Sequence, residues 1–245
     1  MMTRAPVDIA AGGACSFPLP SDASTASRAR SLLAAVMRPL GFASEQIEDG
    51  ELAVSELATN AYTYASSTGR ASAAGQELWL WARTCPTPEL VVSVFDTQRE
   101  TKPVIRDAEL LDEHGKGLSI VAAVSASTGT HFTRSRLTTT PGKCVWFTLA
   151  LPTPWQMVDQ ALTPTLAACQ LSDALKARGI SAIYRREDSG ATVLSTRTLN
   201  VWTGPEAFTW HDGRQYVRQP RIDLQETAER ITSHHETYTS ASPAW

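Results

Sequence analysis

No apolar run in this 245-residue chain is long enough to cross a bilayer. Cysteine is scarce: Cys15, Cys85, Cys144 and Cys169 are scattered, with no C-x-x-C pair. That spacing argues against a zinc site, and it leaves free core or surface thiols as the expectation. No basic stripe stands out, and the net charge is −3, so nothing points to direct binding of nucleic acid. The segment from Met1 to Ala14 lacks the basic start and apolar core of a signal peptide. The expected place is therefore the cytoplasm, with no membrane role. Two phosphate-binding fingerprints are also missing: neither Gly-x-x-x-x-Gly-Lys-Ser/Thr nor Gly-x-Gly-x-x-Gly occurs.

What is present is an ordinary globular composition, 42% apolar and 19% charged, in a chain long enough for one large or two small domains. Cys15–Pro20 reads as a short edge strand. Ser21–Leu40 reads as a helix with Leu32, Leu33, Val36, Met37 and Leu40 on one face. Ser44 can cap a second helix, running to about Ala65, with Ile47, Val54, Leu57, Ala61 and Ala65 as its packed stripe. Glu77–Thr84 alternates, with Leu78, Leu80 and Ala82 one way and Trp79, Trp81 and Arg83 the other. Leu90–Asp96 is a more apolar strand, and 97–113 is a long charged segment of the kind that is functional or mobile. A helix follows over Leu118–Ala126, then strands over Thr128–Arg136 and Lys143–Leu151. Residues 14–152 thus predict an α+β fold, a two-layer α/β sandwich with helices on one face of an antiparallel sheet.

Pro152 and Pro154 mark a boundary. Residues 155–235 read as a small α+β module of unknown role, with Trp202, Phe208, Trp210 and Tyr216 as its core. Residues 1–13 are expected to be flexible and 236–245 to be a disordered tail, with His234-His235 at a solvated helix end.

Three features could carry chemistry. Glu56 and Asn60 lie one turn apart on the second helix. Such a pair also arises by chance on a solvent face. As a functional pair, Asn60 offers an oxygen suited to Mg²⁺, and Glu56 could take a proton from an attacking hydroxyl or water. Asp96, where the strand stops, could accept an exocyclic amine such as that of adenine. Gly115-Lys116-Gly117-Leu118 opens a helix whose first amides could hold phosphates, with Lys116 adding charge.

Taken together, Glu56-x-x-x-Asn60, Asp96 and Gly115-Lys-Gly-Leu118 resemble the conserved boxes of the GHKL ATPases, and within them the small RsbW-like anti-sigma factor kinases. The stretch Ala53-Val-Ser-Glu-Leu-Ala-Thr-Asn-Ala61 carries most of the likeness. The resemblance implies a Bergerat ATP-binding fold over residues 14–152. It implies Mg²⁺ at Asn60, adenine at Asp96, phosphates at His114, Gly115, Lys116, Gly117 and Leu118, and Glu56 as catalytic base. The implied activity is phosphorylation of a serine or threonine on a STAS-type antagonist by a protein that also binds a sigma factor, with homodimerisation open. The alternative is a nucleotide-binding or degenerate partner-binding scaffold without phosphoryl transfer. One departure stands out: Asp96 is followed by Thr-Gln-Arg-Glu100, where the superfamily often has Asp-x-Gly-x-Gly.

Overall fold

The computed structural model describes residues 7–67, 75–100, 116–155, 163–186 and 192–241. A short helix α1 (Val7–Ala10) leads into β1 (Ala14–Pro18), α2 (Thr25–Met37), α3 (Ser44–Ser67), β2 (Glu77–Arg83), β3 (Glu89–Asp96), α4 (Lys116–Val124), β4 (Ser127–Arg134) and β5 (Pro141–Ala150). The strands form one antiparallel sheet in the order β1-β2-β3-β5-β4. This is the α+β arrangement read from the sequence, with β1 at the edge.

Alternation decides which layer each strand residue joins. Leu78, Leu80, Ala82, Leu90, Val92, Val94, Phe147 and Leu149 point to the helical side. There they pack with Leu32, Leu33, Val36 and Met37 of α2 and with Ile47, Val54, Leu57 and Ala61 of α3, all buried. The α3 stripe closes down to glycine at Gly50. A β-carbon there would lie 3.1–3.2 Å from the side chains of Leu149, Leu33 and Met37. Ile9 of α1 is fully buried in the same core, so the expected flexible stretch 1–13 is corrected over residues 7–10. An apolar side chain anchors that turn.

The second half runs through α5 (Pro164–Lys176), β6 (Ile183–Arg186), β7 (Thr192–Ser195), β8 (Asn200–Thr203), β9 (Ala207–His211), β10 (Tyr216–Pro220), a 3-10 turn (Arg221–Asp223) and α6 (Leu224–Ala241). Thr163 caps α5 by accepting from the Leu166 amide, with Pro164 in the first turn. The strands make a second antiparallel sheet, ordered β10-β9-β8-β7-β6. Asp212-Gly213 makes the hairpin turn between β9 and β10, with Gly213 at φ +95°. The aromatic core expectation is half corrected. Phe208 and Trp210 are buried, but Trp202 and Tyr216 are 42% and 66% exposed, because β8 and β10 turn them to the outer face.

The expected tail from 236 is also corrected. Helix α6 continues to Ala241, and Glu236 is 1% exposed. His234-His235 accordingly sits within the helix, not at its end, and His234 stacks on Tyr238. Packing explains the length. α6 lies against β4 and β2, on the face of the first sheet opposite α2 and α3. That face carries Trp79, Trp81, Val91, Phe95 and Cys144, all at most 2% exposed. Trp79 stacks on Phe95 at 5.2 Å, and burying each such ring contributes roughly 1.5–3 kcal/mol. The C-terminal module therefore adds a cover over the back of the first sheet.

The cover is polar where it touches. Asp223, Glu226, Glu229 and Glu236 are all buried. Asp223 accepts from the Thr84 and Cys85 amides at 2.8 and 3.1 Å. Glu226 accepts from Trp81 Nε1 at 3.1 Å and faces Arg83. Glu229 accepts from His131, Thr133, Arg136 and Arg178. Glu236 pairs with Arg99 and Arg134, each at 2.6 Å. Arg136 lies over both Trp79 and Trp81. Burial, with Arg178 nearby, lowers the Arg136 guanidinium to about 10, against the pull of Glu229.

Candidate functional site

Helix α3 turns its apolar stripe to the sheet and leaves Glu56 and Asn60 half-buried on the side that meets α4. The approach of α4 is close. A β-carbon on Gly117 would sit 2.6 Å from Glu56 Oε2 and 3.5 Å from Asn60 Nδ2. Any other residue at 117 would have to displace that carboxylate. The backbone of the first α4 turn thus lies directly against both polar side chains. Amides in a first helical turn lack partners within the helix, and the helix dipole favours negative charge there. The result is a carboxylate, a carboxamide and a set of N–H donors gathered in one place.

Asp96 closes β3. By alternation it follows Leu90, Val92 and Val94 onto the helical side of the sheet, the same side as α3. It is 4% exposed. Its Oδ1 accepts from the Gln98 amide at 2.7 Å and from Lys143 Nζ at 2.6 Å. Lys143 stands directly opposite on β5 and also donates to the Gln98 carbonyl. Burial pushes the Asp96 carboxyl above its ordinary value, while the Lys143 charge and the two hydrogen bonds pull against that rise.

Glu56, Asn60 and Gly117 are therefore brought together. Asp96 faces their layer from the sheet, and Leu118 is half-buried against the core. Lys116 opens α4, though its side chain, like His114 and Gly115, lies outside the described residues. Among the described residues, no group of three or more His, Cys, Asp or Glu could hold a metal ion. Glu56 and Asn60 offer a sparse set of hard oxygens instead. That suits Mg²⁺, which keeps several waters and takes phosphate oxygens alongside one or two protein ligands.

Sequence reading missed Lys143. Its signal was a single cation at the head of the largely apolar stretch Cys144–Leu149. The partner becomes visible only once β5 is paired with β3, across the intervening α4 and β4. The reading also missed Glu226, Glu229 and Glu236, whose spacing i, i+3, i+10 puts them on one helical face.

A helix N-terminus presses against Glu56 and Asn60, above a sheet whose third strand ends in a buried aspartate, and the first-turn amides there favour negative charge. The family comparison agrees: residues 19–149 match the histidine kinase-like ATPase domain. That is over half of the chain, and this protein belongs to that family, within the GHKL ATPases. The domain is of the ATP-binding class. No curated protein matches the chain. Among the described residues, no helix is long and apolar enough to cross a membrane.

Proposed function

We propose that this protein is a cytoplasmic, Mg-ATP-dependent serine/threonine kinase of the anti-sigma factor type, phosphorylating a STAS-type antagonist and binding a sigma factor as its client. The observation that carries this reading is the contact between Gly117 and the Glu56–Asn60 pair. It brings a carboxylate, a carboxamide and helix-start amides together, the groups this reading needs as proton acceptor, metal ligand and phosphate donors.

In this reading the adenine amine donates to Asp96, and the amides at the start of α4 hold the phosphates. Asn60, with Glu56 close by, would hold Mg²⁺, which when bound supplies charge neutralisation at the phosphates. The substrate hydroxyl forms a bond to the γ-phosphorus as the bond from that phosphorus to ADP breaks, and the hydroxyl proton passes to Glu56. Such a base contributes roughly 10²–10⁴-fold.

The test uses the full chain with ATP, Mg²⁺ and a purified STAS-domain protein. Glu56→Ala is expected to abolish phosphate transfer while retaining ATP binding, and Asp96→Asn to weaken binding itself. Transfer that survives in Glu56→Ala overturns the assigned base.

A second reading is favoured by the missing glycines after Asp96. The pocket would then hold nucleotide to set the shape of a partner-binding scaffold, with no transfer. Wild type that binds ATP yet never phosphorylates a STAS-domain partner selects that reading.

A further inference from the structure

We propose that Lys143 is the residue that sets the purine selectivity of this site, by fixing Asp96 as a charged, acceptor-only group that takes 6-amino purines and rejects 6-oxo purines. The inference rests on the nucleotide-site reading above.

Where glycines are missing in the turn after β3, this chain builds a clamp. The Lys143 ammonium spans the turn, donating to Asp96 Oδ1 at 2.6 Å and to the Gln98 carbonyl. The Gln98 amide closes the loop by donating to the same Oδ1 at 2.7 Å. Gly142 makes this possible, since a β-carbon there would collide with the Asp96 carbonyl and the Phe95 ring. Both charged side chains are nearly sealed, at 4% and 5% exposure. The carboxylate is held in one orientation, with two donors on Oδ1. In the nucleotide-site reading, Oδ2 is then the acceptor left for a ligand.

Chemistry then decides which ligand. An ionised carboxylate has acceptors and no proton to give. It can receive the N–H of an exocyclic 6-amino group. A 6-oxo purine presents an oxygen at that position, which the charged Asp96 repels and leaves unpaired. A protonated Asp96 could donate to the same oxygen and would lose the distinction. Burial already favours that neutral form, and the Lys143 charge opposes it. Lys143 therefore acts through Asp96 as a positioning and specificity residue; it need not touch the base.

The experiment measures equilibrium binding of ATP and ITP, its 6-oxo counterpart, to the full chain. Wild type is expected to prefer ATP by on the order of 10²-fold or more, as sites built around one hydrogen bond do. In Lys143→Met, ATP affinity is expected to drop at least tenfold while ITP affinity holds or rises, so the ratio narrows at least tenfold. Lys143→Arg, which keeps the charge, is expected to retain the ratio within about threefold. Lys143→Gln keeps a donor without the charge and should narrow the ratio like Met; it also serves if Lys143→Met does not fold. A purely structural role would weaken ATP and ITP equally and leave the ratio intact, and that result overturns the inference alone. Wild type that binds neither nucleotide overturns the nucleotide-site reading and this inference with it. Wild type that binds both equally overturns the selectivity claim while keeping the site.

Discussion

The Glu56 carboxylate occupies the space that a β-carbon on Gly117 would need, with Oε2 2.6 Å from that point. The atom in the way is the tip of a flexible side chain, so the fold can yield where the chemistry cannot. Alanine is also the better helix former. Gly117→Ala is therefore expected to change stability by less than about 1 kcal/mol while displacing the carboxylate. Misplacement by about 1 Å can cost on the order of 10²-fold in rate. Thermal unfolding and ATP titration of the same preparation separate the two effects. An unchanged melting temperature with unchanged binding and transfer would show that no phosphate approaches α4 at this point.

Glu229 is the hub of the seam between the two halves. Burial alone would push its carboxyl up, but Arg178, His131 and Arg136 outweigh it and hold the group well below its ordinary value of 4.5. A folded value below the unfolded one means stabilisation that is full above about 4.5 and fades as the pH falls towards the folded value. Glu229→Gln leaves Arg178 and Arg136 buried without their counter-charge. It is expected to cost roughly 3–5 kcal/mol at pH 7. Urea unfolding at pH 7 and again below pH 4 should show the gap to wild type narrowing in acid. A gap that stays constant would mean that the carboxylate charge contributes nothing.

Arg99 leaves the Asp96 turn and reaches α6, where it meets Glu236 at 2.6 Å and Ser240 at 2.7 Å while lying over the Phe132 ring. The turn that follows β3 is thereby tied to the C-terminal helix. Glu236 also carries Arg134, so its loss orphans two arginines, whereas loss of the part-exposed Arg99 orphans none. Glu236→Ala should cost several kcal/mol and Arg99→Ala about 1 kcal/mol. A double-mutant cycle should return a coupling of roughly 0.5–3 kcal/mol. Strict additivity would mean that the tie is not made in solution.

What the sequence made legible was local. Glu56, Asn60 and Gly117 announce themselves because helical spacing and a glycine at a helix start are short-range signals. Alternation likewise sorted Leu78, Leu80 and Ala82 from Trp79, Trp81 and Arg83, as the sheet bears out. Alternation could not say what covered the tryptophans. The cover is α6, a helix rich in Thr, Glu, His and Ser that looks marginal in isolation. It is held by ion pairs to Arg83, Arg99, Arg134 and Arg136, residues 93 to 143 positions away in the chain. The Lys143–Asp96 pair was hidden for the same reason: β3 pairs with β5, not with its successor in sequence.

The family match ends at residue 149, which invites the view that the ATP-binding half stands alone. The packing argues otherwise. A fragment ending at Trp155 would lose α6 and Arg178, and so bare Trp79, Trp81, Val91, Phe95 and Cys144 on one sheet face. Contiguous apolar patches of that kind drive association. Their burial is part of what offsets the chain entropy of folding. The fragment is expected to aggregate or to bind a hydrophobic dye, with loss of the near-ultraviolet signal of its tryptophans. Cys144 gives an independent readout. In the full chain it is fully buried, and burial raises its thiol well above the usual range, so it should resist alkylation while Cys85 and Cys169 react. In the fragment it should label readily. A soluble fragment that unfolds cooperatively with Cys144 still protected would show that the first sheet needs no cover.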